Sequence, residues 1–347
     1  MSEPLSNSEK VRYARHLTLP QVGAKGQEKL KNSSILVVGA GGLGSPSLLY
    51  LAAAGIGKIG IIDDDIVEIT NLQRQVIHGT SSLGISKVLS AKEKLLDLNP
   101  EISITAYNSR INMANALDLI NQFDIIIDGT DNFTTRYLIN DACEILGKPW
   151  IFGSIHQFEG QVSVFNLEKG LNYRDLFPEM PPIDLAPNCA EAGVLGVLPG
   201  IIGSIQSTEA IKIILEIGDI LSGKLLVFNA LNMSSRILKF NGNASRPLVT
   251  ELSLEAEYCM SNNENNPLEI TPLEFKNKKE NVIHVFNSNG QFFKSIDPLN
   301  NNIPLLNSPS AVAVDERGVV YVCNSGDNTI HRFKLSNSLD EDLTSED

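Results

Sequence analysis

Arg74 and Lys87 follow a glycine loop closely enough to share its chemistry. The loop is Gly39-Ala40-Gly41-Gly42-Leu43-Gly44, set between the apolar run Ile35 to Val38 and a helical stretch from Ser47 to Ala54. A glycine turn between strand and helix lets backbone N–H groups and a helix N-terminus face a phosphate chain. The next apolar run, Ile59 to Ile62, ends in Asp63-Asp64-Asp65. A carboxylate about twenty residues past the loop is placed to hold a ribose hydroxyl. Arg74 belongs to Asn71-Leu72-Gln73-Arg74-Gln75, which a hydride-transfer site does not need. Two cations beside a nucleotide loop point instead to a triphosphate. Asp131 stands in a second polar turn, Asp128-Gly129-Thr130-Asp131-Asn132, with the N-cap of the helix after it as the alternative role. Asp64 and Asp65 also fit solvated turn positions.

These residues need a scaffold of alternating strands and helices. Helices are expected over 9–16, 86–98, 114–121, 134–146 and 199–217, with strands over 102–107, 123–128, from Trp150, and over 161–165 and 225–228. That alternation predicts an α/β fold, a Rossmann-like, mostly parallel sheet with helices on both faces. Residues 171–188 read as an irregular, proline-rich crossover loop. His16 and His78 read as structural, and Cys143 as a buried small hydrophobe.

The chain has 347 residues, 42% hydrophobic and 20% charged, enough for a large core domain and a smaller addition. A net charge of −13 argues against a nucleic-acid partner. The stretch from Val194 to Leu215 is broken by polar residues at helical spacing, so a buried helix fits better than a membrane span. The start of the sequence has neither a basic region nor an apolar run of the signal-peptide type, and Cys143, Cys189, Cys259 and Cys323 form no C-x-x-C pair. A cytoplasmic, reducing setting is expected.

The ordered set resembles the ThiF/MoeB (HesA/MoeB/ThiF) adenylyltransferases, relatives of the ubiquitin-activating enzymes, over roughly residues 5–258. It comprises Arg12-Tyr13-Ala14-Arg15-His16, the glycine loop, Asp63-Asp64-Asp65, Asn71 to Gln75, Lys87, Asp128 to Asn132, and Asn188-Cys189-Ala190-Glu191-Ala192-Gly193. The resemblance implies that ATP activates the C-terminal glycine carboxylate of a ubiquitin-like sulfur carrier of the MoaD/ThiS type, giving an acyl-adenylate and pyrophosphate. It serves molybdopterin, thiamine or related sulfur-transfer biosynthesis. It further implies that Gly39, Gly41, Gly42 and Gly44 cradle the nucleotide and Asp63, with Asp65, lies at the ribose. Arg74 and Lys87 neutralise phosphates, Asn71 and Gln75 add polar contacts, and Asp131 binds Mg²⁺. Arg15 reaches ATP across a homodimer, and Cys189 is a candidate to accept the activated carrier as a thioester or acyl-persulfide.

Many members carry two C-x-x-C pairs for zinc. Here the first pair's positions read Asn172-Tyr173-Arg174-Asp175 and none appears between Phe240 and Glu257, so no zinc is expected and the chain resembles the zinc-free branch. That branch often continues into a rhodanese sulfurtransferase domain. Residues 1–260 are assigned to the adenylyltransferase domain and 261–280 to a linker with a rhodanese-like opening. The rest of that domain does not follow, which leaves a separate sulfurtransferase as a partner. Residues 281–335 resemble one and a half NHL repeats, a short β segment unable to close a propeller. Residues 336–347 form an acidic tail. An NAD-dependent oxidoreductase is the alternative, since the glycine loop and Asp63 also suit NAD; a non-catalytic binding scaffold is a third.

Overall fold

The computed structural model describes residues 4–178, 193–242 and 246–252, and the backbone of five strands beyond residue 282. The chain divides into two compact units, Met1–Glu264 and Asn265–Asp347.

In the first unit an eight-stranded sheet runs in the order β3-β2-β1-β4-β5-β6-β7-β8. The strands are β1 Ser34–Val38, β2 Lys58–Ile62, β3 Ser103–Tyr107, β4 Ile125–Asp128, β5 Trp150–His156, β6 Glu159–Phe165, β7 Lys224–Asn229 and β8 Ser234–Lys239. Successive side chains of β1 point to opposite faces. Ile35 and Val37 join one buried cluster, and Leu36 and Val38 the other. Helices α4 (Gly44–Ala54), α5 (Lys87–Leu98) and α9 (Leu198–Leu215) supply Leu48, Val88 and Ile202 to the first cluster. Helices α6 (Ala116–Asn121) and α7 (Phe133–Leu146) supply Ile120 and Tyr137 to the second. The sheet is therefore covered on both faces, the condition for parallel strands.

The sheet is mixed. Pairings from β3 to β5 are parallel, whereas β5 to β8 are antiparallel. After β5 the chain reverses within Gln157 and Phe158, with Gln157 at φ 50°, and so short a connection permits only antiparallel pairing. β8 escapes a reading by hydrophobic pattern because all six of its residues are exposed.

The helix expected over 9–16 is two helices, α1 (Asn7–Arg12) and α2 (Ala14–Leu17), broken at Tyr13. The Tyr13 ring is buried, and its hydroxyl accepts a hydrogen bond from Asn99 Nδ2 at 2.9 Å. A third helix, α3 (Gly23–Lys31), leads into β1. Within the expected irregular crossover, Tyr173–Leu176 forms a short helix, α8, with Asn172 and Asp175 in a reciprocal cap. Cys143 is buried on α7, and burial pushes its thiol pKa up, consistent with an inert packing role.

In the second unit the described strands form two antiparallel sheets. Ile283–Phe286 pairs with Phe292–Ile296, and Pro309–Val314, Val319–Asn324 and Thr329–Lys334 make a three-stranded sheet. The rhodanese-like opening and the acidic tail lie outside the described residues.

Candidate active site

β1 is flanked by β2 on one side and β4 on the other, so successive crossovers leave it in opposite directions. The ends of β1 and β4 thus open a crevice at the topological switch point, where open α/β sheets bind ligands. Gly39 continues from β1 at φ 96°, a left-handed conformation that glycine adopts without a Cβ penalty. A Cβ there would sit 2.8 Å from the Gly129 carbonyl oxygen, and one on Gly129 would sit 2.7 Å from that of Gly39. The loops after β1 and β4 therefore touch backbone to backbone, which only two glycines permit. Gly44 also serves packing: a Cβ on it would overlap the Gly39 carbonyl.

The peptide groups of Ala40 are fixed on both sides. Its N–H donates to Asp63 Oδ2 at 2.8 Å, and its carbonyl accepts from His78 Nε2 at 3.0 Å. Since a carbonyl can only accept, neutral His78 carries its proton on Nε2 and leaves Nδ1 to accept from Ser90 Oγ at 2.9 Å. Burial lowers the His78 pKa and favours that neutral form. The histidine read as structural thus props the glycine loop. Asp63 Oδ1 accepts the Asp65 N–H at 2.9 Å. Burial raises the Asp63 pKa, opposed by the nearby Lys87 ammonium.

An open cleft of about 180 Å³ brings together Gly39, Gly41, Gly42, Asp63, Asp65, Arg74, Gln75, Lys87 and Asp131. Lys87 begins α5 and is 8% exposed; it donates to Asp65 Oδ2 at 2.7 Å, while Asp65 is 67% exposed. Asp65 is thus the ammonium's partner, not merely a solvated turn residue. Arg74 donates one bond to the Thr70 carbonyl at 3.1 Å. Gln75 is buried, and its Oε1 meets no hydrogen-bond donor among the described residues. Asn71 stands behind the wall, where its side chain accepts the Glu68 N–H and its carbonyl accepts the N–H groups of Arg74 and Gln75. Its place is to hold those two residues.

Asp131 is exposed on the loop between β4 and α7. The cap of α7 is its neighbour: Asn132 Oδ1 accepts the Thr135 N–H at 2.9 Å. Capping therefore does not account for Asp131, which lines the cleft. An exposed carboxylate opposite two cations and a glycine loop suits Mg²⁺, which takes one or two carboxylates together with phosphate and water oxygens. Arg15 is exposed on α2 and does not line this chain's own cleft. Cys189 lies outside the described residues.

Two arginines on the cleft carry no sequence motif. Arg110 follows β3 and approaches Asp64 at 3.7 Å; Arg136 lies in the first turn of α7 and is buried. Arg110 had one usable signal, since the end of β3 shares the sheet edge that ends β1 and β4.

Fold and cleft together define the class: an α/β protein of the nucleotide-binding kind, open at its switch point. The chain belongs to the ThiF family, whose sequence profile matches residues 13–248. It is 51% identical over 259 residues to the probable adenylyltransferase/sulfurtransferase MoeZ of Mycobacterium tuberculosis, covering 74% of this chain and 66% of MoeZ, just under two thirds. It is 48% identical over 251 residues to the sulfur carrier protein adenylyltransferase of Thermus thermophilus, covering 71% of this chain and 93% of that protein. Among solved structures, Escherichia coli MccB with ATP superimposes with a TM-score of 0.60 at 23% identity, over 70% of this chain and 75% of the other, and shares the fold.

Proposed function

We propose that the chain is an adenylyltransferase that uses ATP to activate the C-terminal glycine carboxylate of a ubiquitin-fold sulfur carrier. The observation that carries this reading is the gathering of Arg74, Lys87 and Asp131 around one glycine loop, with Asp63 on the same cleft. The names of the two relatives, an adenylyltransferase/sulfurtransferase and a sulfur carrier protein adenylyltransferase, support it.

In the reaction a carboxylate oxygen of the carrier bonds to the α-phosphorus as the bridging oxygen to the β-phosphate leaves with pyrophosphate. Attacking and leaving groups are both anionic, so fixed positive charge lowers the barrier. The loop N–H groups of Gly41 and Gly42 bind phosphate, and Asp63 orients the ribose. Arg74 offsets charge on the phosphates. Lys87 is already ordered by Asp65 and turns its ammonium to the phosphates when nucleotide enters. Asp131 would hold Mg²⁺, which when bound would offset negative charge on the phosphates. The partner copy's equivalent of Arg15 completes the cation set in a homodimer, which fits its distance from its own cleft.

Residues 265–347 contribute nothing to adenylation in this reading, and a separate sulfurtransferase supplies sulfur. Cys189 accepts the activated carrier. Asn172 donates to Glu144 at 2.6 Å and Asp175 pairs with Arg246 at 3.2 Å, so both are committed to protein partners, which supports a site without zinc. Among the described residues no helix is long and apolar enough to cross a membrane.

The test is carrier-dependent exchange of labelled pyrophosphate into ATP, with molybdopterin-type and thiamine-type carriers side by side. Exchange with one carrier, abolished by Arg74→Ala, is expected. ATP binding without exchange on any carrier would refute the reading, and a bound dinucleotide in the purified protein would favour the oxidoreductase.

A further inference from the structure

Asp128 and Arg136 form the most buried ion pair against the cleft, and nothing in the adenylation chemistry above uses either. Asp128 is fully buried at the end of β4, and Arg136 is 5% exposed on α7. Their closest approach, Arg136 Nε to Asp128 Oδ2, is 3.5 Å, and neither atom makes a hydrogen bond. A buried pair in such imperfect geometry is a poor way to add stability, since desolvation opposes it. Both residues instead make good hydrogen bonds to a shared neighbour.

That residue is Thr130. Asp128 Oδ1 accepts both the Thr130 N–H at 2.8 Å and the Thr130 hydroxyl at 2.6 Å. From the other side Arg136 Nη2 donates to the Thr130 carbonyl at 3.1 Å. The guanidinium is itself seated between the rings of Phe133 and Phe152, 5.5 and 5.4 Å from their centroids. Beyond Asp131, Asn132 is tied down by its cap on α7. Before it, the Gly129 N–H donates to the Val38 carbonyl at 2.7 Å. Asp131 is thus the one exposed carboxylate of a turn anchored on both flanks.

We infer that Asp128 and Arg136 are positioning residues whose shared hold on Thr130 presents the Asp131 carboxylate to the metal–phosphate complex. The inference rests on the adenylation reading for what Asp131 binds, whereas the hold on Thr130 stands independently. It separates two tasks in one cleft. Loop, Asp63 and Lys87 bind nucleotide, and the Asp128–Arg136 clamp sets where the metal's protein oxygen lies. Removing the clamp should therefore weaken metal use and leave nucleotide recognition nearly intact. Partners that orient metal ligands typically contribute about tenfold or more in metal affinity or activity.

The experiment compares full-length wild type with Arg136→Met, Arg136→Lys and Thr130→Val. Thr130→Val removes one hydroxyl bond and leaves the buried charges paired, so it remains informative if Arg136→Met does not fold. Two readouts are taken: amide hydrogen exchange across residues 129–132, and the Mg²⁺ concentration for half-maximal carrier-dependent pyrophosphate exchange. Arg136→Met should speed amide exchange and raise the Mg²⁺ requirement by about tenfold, with KM for ATP little changed. Arg136→Lys should recover part of both, and Thr130→Val should shift both in the same direction by less. Unchanged amide protection in folded Arg136→Met and Thr130→Val would overturn the clamp. Faster amide exchange with an unchanged Mg²⁺ requirement would overturn its role in positioning Asp131. If the wild type itself gives no pyrophosphate exchange, the adenylation reading fails. The second readout then becomes Mn²⁺·ATP binding by the same variants, and equal Mn²⁺·ATP affinity in wild type and Arg136→Met would overturn the role of the clamp.

Discussion

At the scale of single residues, the cleft separates groups that bind charge from groups that hold those groups still. Lys87 is almost completely buried and needs its partner; Asp65 is mostly exposed and does not. Lys87→Ala should lower the rate of pyrophosphate exchange by about a hundredfold, the usual scale for one lost electrostatic donor. Asp65→Asn, which leaves the buried ammonium without its carboxylate, should lower unfolding free energy by about 1–3 kcal/mol. Denaturant titration and exchange kinetics on both variants check this. His78 gives the cleft a pH dependence. Burial holds its imidazole below the ordinary value of 6.5, so the unfolded chain takes up a proton that the folded one resists. Stability should be fully present above that value and decline as pH falls through it, until the lowered folded-state value is passed. Urea midpoints at about pH 7.5 and about pH 5.5 should show the loss in wild type and a flatter response in His78→Gln. An equal response in both would remove His78 as its source.

At the scale of elements, two loops matter most, because their glycines meet. Gly129→Ala would place a Cβ against the Gly39 carbonyl, with backbone on both sides and no side chain to give way. A loss of about 1–3 kcal/mol is expected, together with ATP binding. Gly84→Ala, at φ 78° with open space around it, should cost only the backbone term and spare binding. Differential scanning calorimetry and nucleotide titration distinguish the two. This is also where the sequence was most and least informative. The glycine loop, Asp63 and the Asp128–Asn132 turn could be read because strand, turn and helix follow one another along the chain. The cleft draws its other groups from strand ends far apart in sequence. Arg110 and Arg136 therefore had no motif, although the end of β3 could have suggested Arg110. Gly44 and Asn71 also serve packing and backbone support, which their motifs alone did not show. β8 was missed because an exposed edge strand carries no burial pattern, and the antiparallel turn after β5 depends on a left-handed Gln157 that residue type did not signal.

At the scale of the whole molecule, the ThiF match ends at residue 248 and the first compact unit at Glu264. A protein shortened to residues 1–264 should keep carrier-dependent exchange within about twofold of full length, since the cleft draws only on residues up to Val194. Loss of exchange in a folded truncation would assign residues 265–347 a part in the chemistry. Chelation should stop exchange and Mg²⁺ should restore it, while the circular dichroism of the resting protein stays constant throughout. The contact between Gly39 and Gly129 bears on how such a molecule diversifies. Because main chain meets main chain there, no side chain stands between the Gly39 and Gly129 backbones, and their approach follows from the pairing of β1 with β4. Arg110, Ile155 and Val194 around the mouth are under no such restriction. A lineage built on this scaffold is free to vary those side chains while inheriting that backbone contact unaltered.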